Sequence, residues 1–188
     1  MINRGIFYLG LILTVPHLLS AQSLRVGYFG ETVTHYGLRA AYDQPIASKV
    51  SKRNSAHKIL YWSAGLAAYR HPQNHVGLIV SPELGYRRIG KRGSLFEFAL
   101  SPAYFRYFLE GRTFEATPEG DFRRVRMAGG NAFLPTVSVS LGHDLSVRRQ
   151  VPLAWYVRLN VMQQRPYNTS HLTRFGIEAG TLLALKKR

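Results

Sequence analysis

The feature that most constrains this chain is a repeated period of two. In segment after segment between Leu24 and Leu183, apolar residues take alternate positions, and small, polar or charged residues fill the places between. Side chains alternate across a strand and advance by about 100° per residue around a helix, so this pattern belongs to strands. The clearest case begins at Val76: Val76, Leu78, Val80, Pro82, Leu84 and Tyr86 share one face, and Gly77, Ser81, Glu83, Gly85 and Arg87 the other. At helical spacing, Glu83 and Arg87 would fall among the apolar residues and break the stripe.

The alternation recurs in Tyr36, Leu38, Ala40 and Tyr42 against His35, Arg39 and Asp43, and in Leu60, Trp62, Ala64 and Leu66 against Tyr61, Ser63 and Gly65. It continues in Phe96, Phe98, Leu100 and Tyr104 against Glu97, Ala99 and Ser101, then in Phe133, Val137, Val139 and Leu141 against Thr136, Ser138, Ser140 and Asp144. Leu153, Trp155, Val157, Leu159 and Val161 oppose Tyr156, Arg158 and Asn160, and Phe175, Ile177, Ala179 and Leu183 oppose Arg174 and Glu178. Leu24 to Phe29 supplies an eighth, shorter strand, bringing the count to the even number that bacterial single-chain barrels show.

Turn signals separate the strands: Pro45 to Lys58, His71 to Asn74, Gly90 to Gly93, Ser146 to Gln150 and Arg165 to Asn168, with Gly129-Gly130 read as one more. The longest interruption surrounds Thr117 to Asp121, where Thr113 to Glu115 and Phe122 to Val125 read as strand ends running past a membrane. With both termini on the periplasmic side, this hairpin falls on the extracellular side. Pro82, Pro102 and Pro135 lie inside strands, where proline cannot donate to the ladder, and predict bulges or bends there.

Residues 1–21 read as an export signal: Arg4, an apolar run from Gly5 to Leu19, then Ser20-Ala21 at the cut site. Pro16 and His17 break the run short of the ~20 apolar residues of a spanning helix. No later stretch approaches that length without a charge or strongly polar residue, so a mature chain resident in a membrane must be a closed barrel. The expected organisation is a signal peptide over 1–21 and one barrel domain over 22–188, an all-β, antiparallel, up-and-down transmembrane β-barrel of about eight strands.

An alternating strand by itself also suits a soluble sandwich, which would bury the apolar face and wet the charged one. The export signal and the aromatic residues favour the membrane. Tyr36, Tyr42, Trp62, Tyr69, Tyr86, Tyr104, Phe108 and Trp155 are candidates for two girdles at the headgroup levels. The opposite face then lines the lumen with Arg39, Arg87, Arg158 and Arg174 beside Asp43, Glu83, Glu97 and Glu178. An eight-stranded barrel is only wide enough for side chains to fill, so these charges are expected to pair and close it rather than conduct.

The formal charge of +15 comes without a helix-turn-helix, zinc-finger spacing or basic helix, so nucleic acid is not the expected partner. Anionic lipid or lipopolysaccharide serves the same electrostatics. No cysteine is present, which excludes disulfides, thiolate metal sites and a lipidated cysteine. His71 and His75 stand four apart in a turn with no third ligand nearby in sequence, and no metal or cofactor is expected. Ser140, His143 and Asp144 do not make a hydrolytic triad, because neighbouring strand residues point to opposite faces. No Walker loop, dinucleotide fingerprint or nucleophile elbow occurs.

The leader ending Leu19-Ser20-Ala21-Gln22, the segment Val33 to Leu38, the hairpin Thr113 to Phe122 and the closing Phe175 to Gly180 together resemble small outer-membrane β-barrel proteins of the Bacteroidetes. The resemblance spans most of the mature chain through loose motifs. It implies the barrel fold, an outer-membrane address and insertion by the barrel assembly machinery. Such barrels commonly finish on an aromatic residue, whereas this chain finishes Leu185-Lys186-Lys187-Arg188. The expected role is non-enzymatic: Arg112, Arg123, Arg124 and Arg126 on the extracellular hairpin would contact lipopolysaccharide, a surface polymer or an extracellular protein. A lipid-modifying enzyme of the same shape and a soluble periplasmic barrel holding an apolar ligand are the alternatives.

Overall fold

A computed structural model describes residues 22–31, 35–118, 120–149, 151–167 and 170–185. The expected signal peptide, residues 1–21, lies outside the described residues, as do Val33-Thr34 and the closing Lys186 to Arg188. The alternating segments are strands: β1 (Ser23–Glu31), β2 (His35–Val50), β3 (His57–His71), β4 (His75–Ile89), β5 (Ser94–Leu109), β6 (Thr113–Ala116), β7 (Phe122–Val125), β8 (Gly129–Asp144), β9 (Leu153–Tyr167) and β10 (Ser170–Ala184). A one-turn helix, α1 (Ser146–Arg149), occupies the expected turn between β8 and β9.

Eight of the strands close into a barrel in the order β1-β10-β9-β8-β5-β4-β3-β2, each antiparallel to its neighbours. The ring is sealed where β1 pairs with β10, from Ser23 opposite Ala184 to Glu31 opposite Gly176. β6 and β7 make a separate two-stranded ribbon inserted between β5 and β8. They are therefore not extensions of the barrel strands. Leu109 N–H donates to the Ala128 carbonyl at 2.8 Å, so β5 and β8 are clasped before the ribbon departs.

Several strands run further than their alternation suggested. β2 continues through Pro45 to Val50, with a register shift between Pro45 and Ala47 that absorbs the proline as a bulge. β1 reaches Glu31, two residues past Phe29. Gly129 and Gly130 are not a turn but the start of β8, lying opposite Phe108 and Tyr107. Strands of 15 or 16 residues exceed the roughly 9–11 that a bilayer crossing requires.

The three strand prolines fall side by side. Pro82, Pro102 and Pro135 occupy adjacent strands: Pro102 faces Pro135, while the pairing of β4 with β5 stops at Val80–Tyr104 and resumes at Leu84–Leu100. The ladder is thus interrupted on both sides of the unbroken Pro102–Pro135 pairing: between β8 and β9, where it passes from Phe133–Arg165 to Thr136–Met162, and in the gap between β4 and β5. The Ser101 hydroxyl donates to the Pro82 carbonyl at 2.6 Å and satisfies an acceptor within that gap.

The burial of the two faces is the reverse of a soluble protein's. Leu38, Leu66, Val80, Leu84, Leu100, Val139, Leu141, Val157, Leu159, Phe175 and Ile177 are exposed around the outside, Leu141 at 64%. Charged side chains fill the inside, Arg25 and Glu178 at 0% exposure. The interior also carries two apolar clusters. One, with Phe29, Tyr69, Ile79, Phe105, Leu134 and Met162, sits toward the end opposite the chain termini. The other, with Ile59, Tyr61, Ile89, Leu95, Tyr156 and Leu182, sits toward the terminal end. Tyr61 and Tyr69 lie across Gly85 and Gly77 of the next strand, where a Cβ would collide with the ring. Tyr69 consequently faces inward and is no part of an aromatic girdle, while Tyr36, Trp62, Tyr104 and Trp155 face outward.

Candidate functional site

Strand parity delivers every charged residue of the inner face to one enclosed column. Arg39, Asp43, Glu83, Arg87, Glu97, Arg158, Arg174 and Glu178 are all buried within the barrel, and the structure adds Arg25 and Glu31 to them. Those two carry the same odd parity as Gly27 and Phe29 on β1. Arg25 lies inside the strand that the alternation marks and belongs to the lumen by parity, whereas Glu31 lies two residues past that strand's predicted end.

The charges pair at three levels. Nearest the terminal end, Arg25 reaches Asp43 at 3.1 Å and Glu97 at 3.0 Å, and Arg87 contacts the same two carboxylates, closing a four-membered ring across β1, β2, β4 and β5. In the middle, Glu83 is held between Arg39 and Arg158, the latter at 2.8 Å. Arg39 also reaches Glu178 at 3.3 Å, and Asn160 donates to Glu178 at 2.9 Å while accepting from Ser138 at 2.7 Å. At the far level Arg174 grips Glu31 with two guanidinium nitrogens and donates to Gln164 at 2.9 Å and to the Tyr69 hydroxyl.

Aromatic faces complete the guanidinium shells. Arg25 lies 4.8 Å from the Tyr156 ring centroid, Arg87 4.7 Å from Tyr61 and Arg174 4.6 Å from Phe105. Five arginines meet five carboxylates inside. This ion-paired network is therefore neutral, and the formal excess of +15 is carried by the residues outside the network. Each of Glu83, Glu97 and Glu178 is engaged by an arginine, so none stands alone as an acid or a ligand. Pairs of this kind gain little net stability over apolar residues, but a missing partner is costly, which ties the residues of each level to one another.

The end opposite the termini opens into a cavity of about 690 Å³ lined by Glu31, Arg174, Gln164, Asn131, Phe105, Tyr107 and Tyr167, among others. His35 joins His71 and His75 on its wall, with ring centroids 3.8 Å apart for His35–His71 and 5.2 Å for His71–His75. His75 Nε2 lies 3.1 Å from the Tyr69 hydroxyl. Sequence spacing could not reveal this grouping, because β2 brings His35 alongside from another hairpin. Among the described residues, no three His, Cys, Asp or Glu side chains are arranged to hold a metal ion. Beside the cavity, Glu110 accepts from Arg70 at 2.6 Å and from the Gln73 backbone N–H at 3.2 Å. The Arg70 hydrogen bond holds the Glu110 carboxyl below the usual carboxylate range.

Ser140, His143 and Asp144 do not converge. Ser140 is buried in the lumen, and Asp144 Oδ1 accepts from the Ser146 N–H at 2.9 Å. The β6–β7 ribbon stands clear of the barrel at the cavity end. Phe114 faces Arg124 and Glu115 faces Arg123 across it. Phe122 is 75% and Met127 73% exposed, and Arg112, Arg123, Arg124 and Arg126 are exposed with them.

A closed eight-stranded antiparallel barrel, apolar outside and ion-paired inside, defines the architectural class of this chain. The chain shares this fold with Neisserial surface protein A, at a TM-score of 0.52 and 8% identity, over 88% of this chain and 96% of that one. It also aligns with the outer membrane enzyme PagL at a TM-score of 0.44 and 11% identity, over 88% of this chain and all of the other. At these identities the likeness is one of fold. No family model and no curated protein matches the sequence.

Proposed function

We propose that this chain is a non-enzymatic outer-membrane barrel with a side-chain-filled lumen, and that the β6–β7 ribbon makes its surface contacts. The observation that carries the membrane part is the inverted burial: a continuous belt of Leu, Val, Ile and Phe faces outward while ten ionised side chains are enclosed. In water that belt would be a very large apolar patch, and in hydrocarbon it is the expected exterior. Closure of the ring leaves no unpaired edge, the condition for strands to cross a bilayer. A soluble barrel for an apolar ligand needs an apolar, open interior, whereas the middle of this one is crossed by ion pairs. The Bacteroidetes affinity and the export signal rest on the sequence segments that carry them.

Polarity-sensitive labels attached at Val80 and Leu159 test the membrane assignment. Both are expected to report acyl chains in vesicles, and water at either position would exclude it. The ribbon offers exposed Phe114 and Phe122 beside four arginines, a combination suited to an amphiphilic anionic surface such as lipopolysaccharide. Replacing Arg112, Arg123, Arg124 and Arg126 together by Ser is expected to lower retention of lipopolysaccharide by the purified barrel about tenfold. Unchanged retention would remove the ribbon from this role.

A further inference from the structure

The two ends of the barrel differ sharply in charge. All four lysines among the described residues, Lys49, Lys52, Lys58 and Lys91, stand at the end that carries the chain termini. The described carboxylates lie elsewhere: in the lumen, at the cavity end, or, for Asp144, buried and bonded to Ser146.

Within this basic end three cations are in register. Lys49 lies opposite Lys58 across β2 and β3, and Lys58 lies opposite Arg88 across β3 and β4. Directly opposed residues share a face with Cβ atoms roughly 5 Å apart, and like charges placed so repel one another. All three side chains are exposed, and none ion-pairs with a carboxylate among the described residues. An arrangement that costs energy in isolation is relieved by an anion shared among the three.

What lies next to the row identifies the anion's source. One step along the same outward face come Leu60 and Tyr86, opposite each other, and then Trp62 opposite Leu84. Same-face neighbours on a strand are about 6.6 Å apart, so the cations sit one pleat above an apolar and aromatic band. This is the vertical order of a phospholipid: phosphate, then glycerol and chains. We propose that Lys49, Lys58 and Arg88 bind the phosphate of an anionic phospholipid headgroup whose acyl chains lie along Leu60, Trp62 and Leu84. The site rests on the membrane assignment and adds to it a preferred lipid class.

Trp62 is the built-in probe, since the chain has two tryptophans and Trp155→Phe leaves it alone. The full barrel is placed in phosphatidylcholine vesicles that contain phosphatidylglycerol as a minority lipid, with bromine carried on the chains of one lipid or the other. Brominated phosphatidylglycerol is expected to be enriched around Trp62 about threefold over its bulk fraction, and the enrichment to vanish in K49Q/K58Q/R88Q. It is also expected to fall in the parent protein as salt approaches ~1 M, where the screening length is about 3 Å. The charge-conserving K58R/R88K variant should keep it. Bulk-fraction quenching in the parent, or an enrichment that survives both the triple substitution and high salt, would overturn the site while leaving the membrane assignment intact. If neither lipid quenches Trp62, the residue does not face acyl chains, and the site falls together with the membrane assignment.

Discussion

Arg174 and Glu31 show what the lumen demands of single residues. Glu31 has Arg174 as its ionic partner, and Arg174 joins β10 to β1 at the point where the ring closes. Arg174→Met would leave an enclosed carboxylate with no cation and is expected to destabilise the barrel by about 3–5 kcal/mol. Adding Glu31→Gln removes the orphaned charge, so the double variant should recover much of that loss. Urea unfolding in vesicles measures both, and an equal loss in single and double variants would mean that Arg174 contributes through packing on Phe105 and Tyr69. Residue faces were legible in the sequence because period two fixes them without reference to the rest of the chain. Partners were not: which carboxylate Arg25 meets depends on the axial level of β2 and β5, set by register. His35 reached the cavity-end histidines for the same reason.

At the scale of elements, the alternation marked all eight barrel strands but underestimated their length. Beyond the apolar belt β2 runs on through Ile46 to Val50 with both faces exposed, so no alternation remains there to mark it as a strand. Hydrogen bonding to β3 carries it instead. The prolines were visible as breaks, yet the pairing of Pro102 with Pro135 and the gap between β4 and β5 depend on the register of three aligned strands, which no one strand discloses. Ser101 is the device that makes the gap tolerable. Ser101→Ala would leave the Pro82 carbonyl without its hydroxyl donor and is expected to cost about 1–3 kcal/mol, whereas Ser101→Thr should cost much less. Equal unfolding midpoints for the parent and the Ala variant would show that the carbonyl has another partner. The β6–β7 segments looked like continuations of β5 and β8, but the Leu109–Ala128 clasp ends that ladder first.

For the whole molecule, the decisive property is the division of charge. The ion-paired network inside cancels to zero, and the terminal end is left basic without exposed described carboxylates to offset it. The cross-lumen partnerships also bear on how such a chain can be assembled. Arg25 and Glu31 stand on the first barrel strand, yet they meet Glu97 on β5 and Arg174 on β10. A half-built sheet lying in oil would hold naked arginines and acids against hydrocarbon, a state too costly to persist. On the proposed membrane assignment, closing the ring and entering the bilayer are coupled steps, because strands inserted singly would carry these charges unpaired.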